Sequence, residues 1–203
     1  PPVPTIDETI KTTHDKKQDI LVSSYDMKNT IYSDQTGQFP HISSRGNRYI
    51  MVLHDIDSNS IWVEPIKNKT EGELILARSR ALLLMKLCGI NLKHQILDNE
   101  ASAAYKESIR TLGMTYQLVP PDDHRRNFAE KGIQTWKDHF IGVLSGTAAT
   151  MPIHLWCQLL PHAEKQLLLL CQSKSNPTIS AYAHLYRPHD YNAHSFVPIW
   201  MES

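Results

Sequence analysis

Three acids stand where the ends of separate elements could bring their carboxylates together: Asp34 in Tyr-Ser-Asp-Gln-Thr-Gly, Asp98 in Ile-Leu-Asp-Asn-Glu and Glu130 in Arg-Asn-Phe-Ala-Glu-Lys. A cluster of hard oxygen donors can hold two divalent cations, which a single carboxylate cannot. Each acid also has a plainer use. Asp34 could start a turn into Gly37, and Asp98 could cap a helix beginning near Ser102. Asn127 with Glu130 three residues later resembles a capping box, with asparagine in place of serine or threonine. Taken singly, the acids leave both readings open.

The segment around Glu130 carries a second pattern. At 100° per residue, Glu130, Gln134 and Lys137 fall within about 60° of one another. That stripe is displaced from the apolar face of Ala129, Ile133, Trp136, Phe140 and Val143. A solvated helix flank would look this way, and so would a metal ligand followed by groups reaching along a phosphate backbone.

The elements that must position these residues follow from periodicity and turn chemistry. Residues 31–36, 48–56 and 60–67 read as three strands, the last two separated by Asp57-Ser58-Asn59. Residues 71–87 are good helix formers ending at Gly89, suited to a left-handed helix stop. A short strand over 92–97, a helix over 102–112 with Gly113 after it, and a strand over 115–119 halted by Pro120-Pro121 come next. An amphipathic helix spans 127–144, and a last helix is expected from Pro152, a favoured first-turn residue, to about Leu170. A meander followed by alternating helices and strands implies an α/β domain, a five-strand mixed sheet with helices on both faces. Residues 1–29 read as a linker or N-terminal extension, 30–175 as the core, and 176–203 as a C-terminal extension without either period.

Composition narrows the classes. With 203 residues, 41% of them hydrophobic and 21% charged, the chain can build one substantial core. No apolar run approaches the roughly 20 residues that cross a bilayer, and residues 1–25 lack the pattern of a signal peptide. Cys88, Cys157 and Cys171 lie in apolar surroundings and read as buried thiols of an intracellular protein. Zero formal net charge excludes coating of nucleic acid by bulk electrostatics, so any such contact must be local. Between Lys93 and Lys137 seven basic residues face six acidic ones, and metal on three of those acids would tip the balance positive. No Gly-x-Ser-x-Gly is present to suggest a serine nucleophile. Trp156, Leu159 and Leu160 are candidates for an apolar interface, although core packing is the commoner use of such residues.

Ordered blocks of the sequence resemble retroelement integrase cores, copia-type elements of microalgae in particular. Ser-Asp-Gln-Thr-Gly-Gln-Phe-Pro (33–40) and Ser-Arg-Gly-Asn-Arg-Tyr-Ile-Met-Val-Leu (44–53) open the resemblance. It continues through Ile-Leu-Asp-Asn-Glu (96–100), Val-Pro-Pro (119–121), His-Arg-Arg-Asn-Phe-Ala-Glu-Lys (124–131), Ile-Gln-Thr-Trp-Lys-Asp-His-Phe (133–140) and Asn-Pro-Thr-Ile-Ser-Ala-Tyr (176–182). Residues 31 to about 200 are covered. Glu100 departs from the glycine many relatives carry, and Arg187 and Trp200 stand where small residues are expected.

The resemblance implies a ribonuclease-H-like fold and a DDE polynucleotidyl transferase. Asp34, Asp98 and Glu130 fall on its three acidic positions and would bind two Mg²⁺ or Mn²⁺ ions. Lys131, Gln134, Lys137, Arg125 and Arg126 are the expected DNA contacts. The implied work is 3′-end processing and strand transfer of retroelement DNA, by a homo-oligomer in the nucleus cut from a Pol polyprotein. It further implies a core without its zinc-binding N-terminal and DNA-binding C-terminal flanks. The rivals are a nuclease of the same fold and an inactive, domesticated DNA-binding or dimerisation module.

Overall fold

The computed structural model describes residues 28–97, 101–119 and 128–193, with the side chains of Phe128 and Ala129 outside that set. The chain enters its sheet through Asn29, which takes a left-handed conformation (φ 59°) and donates its N–H to Asp57 Oδ2 at 2.6 Å. Asparagine tolerates that backbone better than most residues.

Strands β1 (Thr30–Gln35), β2 (Tyr49–Asp55) and β3 (Ile61–Ile66) form the expected antiparallel meander. The β2–β3 turn closes on Asp55, whose Oδ2 accepts from both the N–H and the hydroxyl of Ser58, while Asn59 supplies a second left-handed residue. Helix α1 (Glu71–Leu87) follows, and Gly89 at φ 84° ends it. Then come β4 (His94–Leu97), α2 (Ala103–Arg110) and β5 (Thr115–Leu118), with Gly113 at φ 71° between the last two. Helix α3 (Phe128–Ser145) is the amphipathic one.

The sheet order is β3-β2-β1-β4-β5. Strands β1, β4 and β5 are parallel, so the sheet is mixed as expected. Side-chain alternation assigns its two faces. Ile31, Met51, Leu53 and Leu97 pack with α1 and α2, whereas Ile50 and Val52 pack with Ile133, Trp136, Phe140 and Val143 of α3.

Three expectations are corrected beyond α3. The single helix expected over 152–170 is a 3-10 helix, Ile153–Gln158, followed by α4, Leu160–Leu170. Pro161 is the cause: it lacks an N–H and its ring would strike the carbonyl one turn earlier, so the helix must restart with proline in its first turn. The interface reading of Trp156, Leu159 and Leu160 also fails, since all three are buried in the core beneath α3. Trp156 stacks on Phe39 at 4.4 Å and donates Nε1 to the His41 carbonyl at 2.9 Å. The C-terminal extension, expected to lack periodic structure, forms a short helix α5 (Ala181–Leu185), started by Ser180 accepting from the Ala183 N–H. Cys157 is buried and Cys88 and Cys171 are half-buried, all three as free thiols.

Candidate active site

Asp34 is the fifth residue of β1, placed opposite Val52 of β2. That register puts it on the α3 face, together with Tyr32, and it is half-buried there. It lies inside a strand rather than at the start of a turn, and its Oδ1 accepts from the Gln35 N–H at 2.7 Å.

Strand β4 is the parallel neighbour of β1, with Tyr32 beside Ile96. Both strands therefore run toward the same edge of the sheet, where Asp34 sits. Asp98 directly follows Leu97 in sequence and lies outside the described residues, as do Glu100, Arg125, Arg126 and Asn127. The plainer use of Asp98 as a cap for α2 is excluded, because Ser102 holds that position and accepts from the Tyr105 N–H at 3.2 Å.

Glu130 is in the first turn of α3, exposed, on a helix that packs across β1 and β2. The seating of that turn depends on Gly132. A Cβ there would stand 3.2 Å from His54 Nδ1, and His54 is itself buried in β2 and bonded through Nε2 to Asn59 Oδ1 at 3.0 Å. The missing side chain lets α3 lie directly on the strand beside β1. Sequence reading had a usable signal for this in a glycine amid good helix formers.

Lys131, Gln134 and Lys137 are exposed along α3 as expected. Gln134 donates to Asp138 Oδ1 at 2.7 Å, an acid the stripe did not include. Lys174, after α4, was missed. It comes near Lys131 and Asp55, and its pKa is lowered by burial and then by Lys131, while Asp55 opposes the shift. Only the tertiary fold puts it beside α3.

At the edge of the sheet Asp34 also lines a cavity of about 250 Å³ with Ser33, Lys69, Glu71, Ser102 and Tyr105. The first turn of α1 and the cap of α2 meet there, Ser102 Oγ donating to Glu71 Oε1 at 2.5 Å. Behind it Arg78 is buried against Tyr105 and donates to Gln95 Oε1 and to Ser108, and Gln95 donates to Ser33 Oγ at 2.7 Å. This network ties β1 to β4 on the face opposite α3. Among the described residues no three His, Cys, Asp or Glu side chains form a metal-holding group. The donor chemistry of Asp34 and Glu130 nevertheless suits a hard divalent ion, and they share the α3 side of the sheet.

No family model matches the chain, and no curated protein sequence does. Solved structures do. A chain of the simian T-cell lymphotropic virus intasome, solved in complex with PP2A regulatory subunit B56 gamma, superposes with a TM-score of 0.61 at 17% identity. The match covers 87% of this chain and 58% of that one, so this chain spans little more than half its length. The catalytic core domain of BIV integrase superposes with a TM-score of 0.54 at 14% identity, over 78% of this chain and 93% of that one. The fold is that of an integrase catalytic core. The ribonuclease-H-like sheet of five mixed strands, flanked by helices, is thus established, while identities this low carry the integrase-like likeness no further than fold.

Proposed function

We propose that this chain is the catalytic core of a retroelement integrase, of copia type, that performs metal-dependent phosphoryl transfer on DNA. One observation carries the reading: β1 and β4 are parallel neighbours, and α3 packs across β1 on the face that holds Asp34. In this reading the acids at the end of β1, just after β4 and in the first turn of α3 share one edge of one sheet. The integrase fold of the two structural neighbours supports it.

In this reading Asp34, Asp98 and Glu130 hold two Mg²⁺ or Mn²⁺ ions. Such ions, when bound, activate a water or a DNA 3′-hydroxyl and stabilise the leaving oxygen during in-line attack on a phosphodiester. The chain's own residues do the placing. Lys131, Lys137, Lys174, Arg125 and Arg126 meet phosphates, and Gln134 offers a neutral hydrogen bond between them. Phosphate contacts fix register but carry little sequence information, so target choice is loose. Element ends and target DNA are the partners, the working form is a homo-oligomer, and the site of action is the nucleus. Residues 30–175 form the catalytic unit between an N-terminal extension and a C-terminal one, within a Pol polyprotein.

The test is a disintegration assay, with a branched DNA that mimics an integration intermediate and either Mg²⁺ or Mn²⁺. Resolved product is expected from the chain and not from Glu130→Gln or Asp34→Asn, both folded. Absence of product from folded protein with either ion would overturn the proposal and favour an inactive module. Cleavage without joining would mark a nuclease instead.

A further inference from the structure

Four cations gather at the end of the sheet that carries Asp34, none of them in the basic set expected from sequence. Arg45 and Arg48 belong to the connection between β1 and β2, Lys67 and Lys69 to the one between β3 and α1, and all four are exposed. The antiparallel register brings the two connections together. The Arg48 N–H donates to the Ile66 carbonyl at 2.9 Å, and a Cβ on Gly46 would stand 4.0 Å from Cε of Lys67. Lys69 lies over the Tyr49 ring at 5.3 Å and lines the same cavity as Asp34.

Little neutralises this charge. Glu71 and Glu73 in the first turn of α1 are the acids at hand, and both are engaged, Glu71 by the Ser102 hydroxyl and Glu73 by the Lys67 N–H at 3.1 Å. The side-chain ion pairs among the described residues are Arg80–Glu64 and Arg110–Glu107, which leave all four cations out. A surface of uncompensated positive charge draws an anionic partner. The loop that presents it is also built into the fold. Ser43 Oγ accepts from the Asn47 N–H at 2.9 Å, the Ser44 N–H donates to the His154 carbonyl at 2.7 Å, and Gly46 at φ 82° closes the turn. Arg45 and Arg48 therefore stand on a backbone with little left to order on binding.

Asp34 pairs with Val52, the middle residue of β2. These four cations stand beyond one end of β2, and Lys174 with Lys131 lies near Asp55 at the other. From Arg48 to Asp55 is about 24 Å at roughly 3.4 Å per residue, the rise of about seven base pairs of duplex. Building on the DNA-joining function proposed above, on which the choice of partner rests, we propose that Arg45, Arg48, Lys67 and Lys69 bind the phosphate backbone of duplex DNA on the side of Asp34 away from Lys131 and Lys174. The duplex is then gripped on both sides of the acid, and the grip fixes its position without reading its sequence.

Fluorescence anisotropy of a labelled duplex, without metal, reads this surface apart from catalysis. Arg45→Gln/Arg48→Gln and Lys67→Gln/Lys69→Gln are each expected to reduce the slope of log K against log salt by about 2, at about 0.9 per phosphate contact. Between about 50 and 200 mM salt the parent then loses roughly tenfold more affinity than either pair. Lys86→Gln/Arg110→Gln removes the same charge from the last turns of α1 and α2, helices whose first turns are the ones that meet at the cavity. It is expected to leave the slope unchanged. All these side chains are exposed, and thermal melting verifies that each variant is folded. An unchanged slope in either pair would overturn the proposal, as would an equal fall in Lys86→Gln/Arg110→Gln, which would reduce the effect to net charge. The disintegration assay separates the two readings. Product from a parent whose pairs keep the full slope would sink this surface alone, and a reduced slope with no product from the parent would sink the catalytic reading alone.

Discussion

Two glycines on α3 provide a matched pair. Gly132 and Gly142 both lie inside Phe128–Ser145, and alanine in place of either gains about 1 kcal/mol of helix propensity. At Gly142 the new methyl meets nothing within 4 Å. Gly142→Ala is therefore expected to raise Tm by about 2–4 °C, the shift that 1 kcal/mol produces in a chain of this size. At Gly132 the same methyl stands 3.2, 3.4 and 3.5 Å from Nδ1, Cβ and Cγ of His54. His54 has little freedom to yield, since Asn59 holds Nε2 and is itself held by donating to the Gln172 carbonyl at 2.9 Å. Overpacking of this kind costs about 1–3 kcal/mol, which cancels or exceeds the propensity gain. Gly132→Ala is expected to leave Tm unchanged or lower it by up to about 8 °C, and to reduce DNA joining because the turn bearing Glu130 is lifted from the sheet. Differential scanning fluorimetry on both variants, beside the disintegration assay, measures the two effects. Equal rises in Tm for both would refute the argument that α3 is seated through this glycine.

Two further expectations concern charge. Glu164 of α4 accepts from the Val63 N–H of the edge strand β3 at 3.0 Å, and burial, aided by Glu64, pushes its pKa from 4.5 to about 8 against the opposing effect of that bond. A carboxyl raised this way leaves stability intact below its unfolded pKa and withdraws it as pH climbs from about 4.5 through 8. At about 1.36 kcal/mol per unit the loss is bounded near 5 kcal/mol, and residual contact with water reduces it. Glu164→Gln, neutral at every pH, should match the parent near pH 5 and exceed its Tm at pH 8–9; parallel curves would refute the assignment. Removal of Lys131 or Lys174 should weaken binding to duplex DNA of any sequence and reduce the slope of log K against log salt by about 1 each, as read by fluorescence anisotropy. An unchanged slope for Lys174→Ala would remove it from the interface.

The amino-acid order determined the local elements because their signals are local. Period-2 runs marked β1 to β3, Gly89 and Gly113 marked where α1 and α2 stop, and the apolar spacing of Ile133, Trp136, Phe140 and Val143 marked the buried face of α3. The break at Pro161 was equally legible in principle, as a proline ten residues into an otherwise helical stretch. What sequence could not decide was which strands and helices lie beside one another. Asp34 and Glu130 are 96 positions apart in the chain, and nothing in either neighbourhood states that β4 inserts beside β1 or that α3 crosses β1 and β2 on the side Asp34 faces. That choice belongs to strand pairing and helix packing, which are long-range. The same holds for Lys174 beside Lys131 and for the exchange of roles on α1. There the sheet and α2 together offer polar partners to a buried Arg78, and leucines are left outside, an outcome no residue-by-residue hydropathy could assign.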